Sequence, residues 1–219
     1  MSSKRVIIFD FDGTIADTVP VIIDIFHKVE RRKTRLTKDE ELLVRAAALL
    51  QVKMKTIIRD AIRIGIPLWR LPFIFAISQA ILSRRMHEVK AFPGMKQLIA
   101  ELHAEGNMLF IVSANTPSNI KKFLKNEGLS PYFTKVYGSV RSSRKAKIIA
   151  RIAKKHNAHS GNVFYIGDES RDIHAAQAAG VGSIGVRWGY NDEAQLRASE
   201  PQAIATKASD IATLLRRTK

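Results

Sequence analysis

The sequence contains no cysteine. Disulfides, thiolate metal sites and a cysteine nucleophile are thereby excluded, and a reducing cytoplasm is the compartment expected. The apolar run before Asp10, Val6 to Phe9, is only four residues long, so no secretory leader is expected. Long apolar runs are also missing. The most apolar stretch, "IGIPLWRLPFIFAISQAIL" at 64–82, is interrupted by Pro67, Arg70 and Pro72, and the uncharged run after Pro72 lasts 11 residues. That is too short to cross a bilayer, and no transmembrane segment is expected. The six histidines show no paired metal-ligand spacing, and there are no internal repeats or low-complexity segments. Acids are in deficit: 20 Asp+Glu face 36 Lys+Arg, a net charge of +16. Such a balance favours anionic partners, whether phosphorylated metabolites, nucleic acid or an acidic membrane surface. The charge is spread along the chain, however, and the densest cluster, Arg31-Arg32-Lys33 with Arg35, reads as a solvated helix end.

What is present is a recurring pattern. Short apolar, β-type runs occur at 6–9, 108–112, 135–137, 163–166 and 183–186, and helical patterns follow or separate them at 93–105, 117–126, 145–156, 172–179 and 208–217. Four- and five-residue apolar strands alternating with helices predict an α/β fold with a doubly wound, mostly parallel, Rossmann-like sheet. Residues 18–90 break the pattern. They carry helical periodicity with no convincing strand, including a capping box of Thr37 and Glu40. This block reads as an inserted helical domain (18–90), leaving 1–17 and 91–219 as the sheet domain. The 73–82 segment is apolar around most of its circumference, which suits the core of the insert or, second, a homodimer or membrane-surface contact.

In an open parallel sheet, ligands bind beyond the carboxyl ends of the strands. After the first strand the sequence places Asp10, Asp12 and Thr14. After the second come Ser113, Ala114 and Asn115. After the third comes Lys145, with Lys147 and Arg144 as alternatives for a cation at that point. After the fourth come Asp168 and Asp172. Acids beside a hydroxyl and a lysine suit a hard cation and a phosphate held together. A cation also answers the mutual repulsion of the acids in "VIIFDFDGTIADT". A carboxylate can attack phosphorus and divide hydrolysis into two easier steps. A second acid two residues on, in a turn made tight by Gly13, can serve as general acid and base. Each acid taken alone would read as a cap. Asn115 suits a cap before Pro117 and a substrate contact equally well, Asp17 suits the cap of the first insert helix, and Glu169 suits a helix N-terminal acid ahead of a third metal-sphere acid. Trp188 and Tyr190 read as packing.

The motifs "DFDGTIADT", "VSAN", a lysine opening a helix, and "YIGDESRDIHAAQAAGV" together resemble the four motifs of the haloacid dehalogenase superfamily, in order, over 1–17 and 91–219. The last segment, continuing to "GVRWGYN", is similar to phosphoglycolate phosphatase-like members. The resemblance implies a Rossmann-like core with an α-helical cap, Mg²⁺ as cofactor and a small phosphorylated substrate. It implies Asp10 as nucleophile and metal ligand, Asp12 as general acid/base with its carbonyl on the metal, and Lys145 as charge clamp. Ser113 would bind phosphate, with Thr14, Ala114 and Asn115 beside it. Asp168 and Asp172 would complete the metal site. The second acid of D-x-D-G-T argues for phosphoryl chemistry over dehalogenation, and a phosphatase or a phosphomutase would carry it. Nucleic acid is not required by this reading. A non-catalytic protein binding nucleic acid or an anionic membrane is the alternative that the net charge motivates.

Overall fold

In a computed structural model, residues 4–21 and 83–217 are described. The Thr37–Glu40 capping box, the Arg31–Arg35 cluster and the apolar 73–82 segment, with the dimer contact expected of it, lie outside the described residues. The chain divides into two compact units, Met1–Asp17 with Lys90–Lys219, and Thr18–Val89. In the second unit the described residues 19–21 and 83–85 are helical.

The first unit is built around β1 (Val6–Phe9), which is entirely buried. It lies between β4 (Met108–Val112) and β6 (Val163–Gly167) and is parallel to both. A central parallel strand has helices over both faces, so every position is apolar and the usual polar alternation is absent. Each such Val, Ile or Phe side chain contributes roughly 1.5–3 kcal/mol by burial. Outward from this centre come β5 (Phe133–Tyr137) on one side, and β7 (Gly182–Val186) and β8 (Ala203–Ala205) on the other. The order is β5-β4-β1-β6-β7-β8, parallel throughout. A two-stranded antiparallel ribbon, β2 (Ala16–Asp17) with β3 (Lys90–Ala91), stands apart from the sheet.

The flanking helices are α1 (Met95–Ala104), α2 (Pro117–Asn126), α3 (Ser142–Lys155), α4 (Ser170–Ala178), α5 (Glu193–Arg197) and α6 (Ala208–Arg217). Ile149 and Ile152 of α3 and Ala175 and Ala176 of α4 join Val6, Ile8, Phe110 and Tyr165 in one core cluster. The sheet grows from β1 through β4 to β5, then returns to β6 and grows the other way. The reversal opens a crevice at the carboxyl ends of β1, β4 and β6.

The doubly wound reading holds, with three additions. β8 spans only three residues, Ala-Ile-Ala, too few to show a pattern. The ribbon strands are two residues each. α5 is short, yet it had a local signal: Asp192 accepts from the Gln195 backbone N–H, and Gln195 reaches back to Asp192 N. Asp17 needs a correction. It pairs with Lys90 in the ribbon, and Thr18 is the residue before the helical 19–21. Among the described residues no helix is long and apolar enough to cross a membrane.

Candidate active site

The peptide N–H of Phe11 donates to Asp10 Oδ1 at 2.8 Å, which fixes the carboxylate just past the last residue of β1. Its other oxygen, Oδ2, accepts from Lys145 Nζ at 2.8 Å. The same Nζ donates to Asp172 Oδ1 at 2.5 Å. Lys145 thus bridges two carboxylates while only 1% exposed, and it lies 5.6 Å from the centre of the Tyr165 ring. Burial alone would push its ammonium down, but Asp10 and Asp172 outweigh burial and hold it well above the ordinary lysine range. Arg144 and Lys147, the alternatives for this cation, are exposed. On a helix, residues one before and two after a buried position cannot share its face.

α4 delivers the acids. Burial, partly offset by Lys145 and reinforced by Asp10, pushes the Asp172 carboxyl up to about 7. Glu169 is the N-cap of α4 and forms a reciprocal capping box with Asp172. It also stands where the second reading, a metal-sphere acid, would put it. One oxygen from each of Asp10, Glu169 and Asp172 lies within 4.8 Å of the others. This is an all-carboxylate donor set, suited to a hard divalent cation. Burial, reinforced by Asp10 though opposed by Arg171, raises the Glu169 carboxyl.

Asp168 stands apart from that trio. Its Oδ1 accepts from the Thr14 hydroxyl at 2.8 Å, and its Oδ2 from the Tyr190 backbone N–H at 2.8 Å. Trp188 donates its indole N–H to the Thr14 carbonyl at 3.0 Å. Trp188 and Tyr190, read from sequence as packing, therefore hold Thr14 and Asp168 directly. Asp168 is fully buried, and burial with Asp172 and Asp10 nearby raises its carboxyl well above the usual range. The approach is so close that a Cβ at Gly13 (φ 75°) or at Gly189 would collide with the Asp168 side chain. A close approach also occurs at Gly167, where a Cβ would lie 2.6 Å from Asp172 Cβ.

The loop after β4 supplies the remaining predicted residues. Ser113 is buried and its hydroxyl accepts from Asn115 N at 3.2 Å. Ala114 is exposed between two buried neighbours. Asn115 does not cap α2. Thr116 is the N-cap, accepting from Asn119 N. The Asn115 amide nitrogen donates instead to Asp12 Oδ1 at 3.0 Å and Oδ2 at 2.9 Å. The structure therefore gathers Asp10, Lys145 and Asp172 at one point, pairs Asp12 with Asn115, and pairs Asp168 with Thr14.

The exposed side of α3 is distinctive. Arg144, Lys147, Arg151, Lys154 and Lys155 are all exposed, and at 100° per residue they share one face opposite buried Lys145, Ile149 and Ile152. No Asp or Glu occurs between Glu127 and Asp168. These five cations make no ion pair among the described residues, unlike Arg197 with Glu193 or Arg216 with Glu101 and Glu105.

Residues 7–186 match the model of the family described as haloacid dehalogenase-like hydrolase. The chain belongs to this family. It is 30% identical over 207 residues to a phosphoglycolate phosphatase of Synechococcus elongatus, covering 94% of this chain and 95% of that protein. It is 26% identical over 217 residues to the pyrophosphatase PpaX of Oceanobacillus iheyensis, covering 97% of each. Among solved structures, a haloacid dehalogenase-like family hydrolase from Streptococcus pneumoniae superposes with a TM-score of 0.75 at 20% identity, over 97% of this chain and 99% of that one. The protein is an enzyme, a phosphatase of the haloacid dehalogenase family.

Proposed function

We propose that the protein hydrolyses a small phosphomonoester through an aspartyl-phosphate on Asp10. The observation that carries the reading is the bridge from Lys145 Nζ to Asp10 Oδ2 and Asp172 Oδ1, buried at the carboxyl end of the central strand. A lysine in that position pairs with Asp10 and sets a positive charge beside the oxygens of an incoming phosphoryl group.

The first step forms a bond from an Asp10 carboxylate oxygen to phosphorus and breaks the ester P–O bond. Asp12 delivers a proton to the departing oxygen. In the second step Asp12, now a carboxylate, takes a proton from water. The water oxygen bonds to phosphorus, the P–O bond to Asp10 breaks, and inorganic phosphate leaves. Ser113 and the backbone N–H of Ala114 are suited to orient the phosphoryl oxygens. No acceptor for that N–H is found among the described residues. Asp10, Glu169 and Asp172 would hold a divalent cation, Mg²⁺ by their all-oxygen character, and Asp12 and Asp168 flank the same strand ends. When bound, that cation offsets charge on the transferring phosphoryl group.

The relatives named as phosphoglycolate phosphatase and pyrophosphatase favour hydrolysis over isomerisation and make a small anionic phosphate ester the first substrate to try. The test is phosphate release from phosphoglycolate and from p-nitrophenyl phosphate, with MgCl₂ and with chelator, for wild type and Asp10→Asn. Metal-dependent release by wild type, reduced at least about 10³-fold by Asp10→Asn, is expected. Folded wild type that releases no phosphate from any phosphomonoester in a metabolite panel would overturn the reading. A sugar-phosphate isomer as product would replace it with a mutase.

A further inference from the structure

The side-chain amide of Asn115 is held at both ends. Its nitrogen donates to both oxygens of Asp12, and its Oδ1 accepts from Thr116 N at 2.8 Å and from Asn119 Nδ2 at 3.0 Å. Both ends of this side chain are therefore engaged within the protein, the nitrogen by one carboxylate and the oxygen by two donors.

Its orientation is also determined. An amide can be turned end for end, and only its partners decide which end is nitrogen. Here two N–H donors, Thr116 N and Asn119 Nδ2, demand the oxygen on their side. The nitrogen must then face Asp12. Asn119 is the unusual member. It occupies the third position of α2, where an acid would satisfy the helix dipole and a capping box. An acid could not donate to Asn115 Oδ1. Asn119 is moreover 1% exposed, and its own Oδ1 meets no donor among the described residues. An orphaned buried amide oxygen is a cost that a merely structural position would shed.

We infer that Asn119 and Asn115 form a positioning relay that holds the Asp12 carboxyl in the orientation from which it delivers its proton to the leaving group. Asn119 sets the amide of Asn115, and Asn115 holds Asp12 by both oxygens. Neither residue touches the reacting atoms. The inference rests on the phosphatase chemistry proposed above, and the test separates the two.

The readout is the dependence on leaving group. A 2,4-dinitrophenyl ester departs without help, whereas an alkyl ester such as phosphoglycolate needs its oxygen protonated. Asn115→Ala is expected to lower kcat on the alkyl ester by about 10²-fold, the scale of general acid catalysis, with KM little changed. The loss on the dinitrophenyl ester is expected to stay within about threefold for formation of the phosphoenzyme, read as the dinitrophenolate burst. Asn119→Asp, a near-isosteric change that replaces a donor with an acceptor, is expected to show the same selectivity in milder form. In an Asp12→Ala background, Asn115→Ala is expected to cause no further loss. Equal losses on both esters, or full additivity with Asp12→Ala, would overturn the relay while leaving the phosphatase reading intact. If Asn115→Ala fails to fold, Asn119→Asp decides alone, and wild-type rates on both esters would overturn the relay. A wild type inert toward both esters overturns the reading beneath and the relay with it.

Discussion

The indole of Trp188 is tied to the backbone of Thr14 from 174 positions away in the chain, N–H to carbonyl at 3.0 Å. Thr14 in turn donates its hydroxyl to Asp168. A loop beyond β7 thus braces the turn beyond β1 through a buried carboxylate. Trp188→Phe keeps the ring and removes the donor, and is expected to cost about 1 kcal/mol. Thr14→Val keeps the shape but leaves Asp168 Oδ1 without its donor, and is expected to cost more, about 1–3 kcal/mol. Urea unfolding midpoints of the two variants check the order.

A pH dependence follows from the buried acids. Asp172, Asp168 and Glu169 are raised in the folded protein. Between their unfolded and folded values the native state binds more protons than the unfolded chain, so stability falls as pH rises through that window. For Asp172, from 3.8 to about 7, the window is about pH 4 to 7, worth up to about 4 kcal/mol. With chelator present, the protein is expected to be more stable at pH 5 than at pH 8. MgCl₂ is expected to stabilise more at pH 8 than at pH 5, because carboxylate ligands must be deprotonated to bind. Urea titrations at the two pH values, with and without the metal, read both effects. Equal stability at pH 5 and 8 under chelation would remove the basis for the prediction.

Glu127 shows the opposite sign. Burial alone would raise its carboxyl, but Lys96 at 2.9 Å, the Ala91 N–H at 3.3 Å and Lys90 at 3.4 Å hold it below its usual value. Its contribution is complete above about pH 4.5 and is lost as pH falls through the lower folded value. Both lysines are more than half exposed, which limits the ion pairs to about 1 kcal/mol together. Glu127→Gln is expected to lower stability by that amount at pH 7 and to have little effect at pH 3. The comparison of wild-type and variant midpoints at the two pH values decides it.

The exposed cations of α3 repel one another at i, i+3 and i, i+4 spacing. Arg151→Glu removes one of them and sets a carboxylate four residues before Lys155, the favourable orientation for a helical ion pair, for an expected gain of about 0.5 kcal/mol. Raising NaCl from about 20 to about 200 mM is expected to raise the Tm of wild type more than that of the variant, since salt screens repulsion that the variant has already reduced. Differential scanning calorimetry at the two salt concentrations provides the measurement.

How far all this could be read beforehand depended on the range of the interaction involved. β1, β4, α2 and α6 have the bounds that sequence suggested, because apolar runs, Pro117 at a helix start and a 3.6-residue period are local signals. β8 and the ribbon were invisible because two or three residues carry no period. Asp10, Lys145 and Asp172 could be brought together from topology alone, since strand ends in a parallel sheet share an edge. Glu169 was read as a cap ahead of a third metal-sphere acid, and it is a cap. That α4 also turns it toward Asp10 is a matter of side-chain direction that spacing does not encode. The bond from Asn115 to Asp12 spans 103 positions between two loops, and no sequence pattern foretells which end of an amide faces a carboxylate.

Phe9, Ile111 and Ile166 are partners in adjacent strands. β4 and β6 each run one residue past that pairing, level with Asp10, and the Ser113 loop and the Asp168 turn follow from that common line. Distance along the chain between these motifs has no bearing on their alignment. The whole of Thr18–Val89 can be threaded between β2 and β3 without moving Asp10 relative to Asp168. A single residue deleted from within β1 has no such freedom: it would turn each preceding side chain to the opposite face or draw Asp10 back out of reach of Lys145. Evolution of this molecule is thus free to lengthen what lies between the strands and is held to the letter count within them.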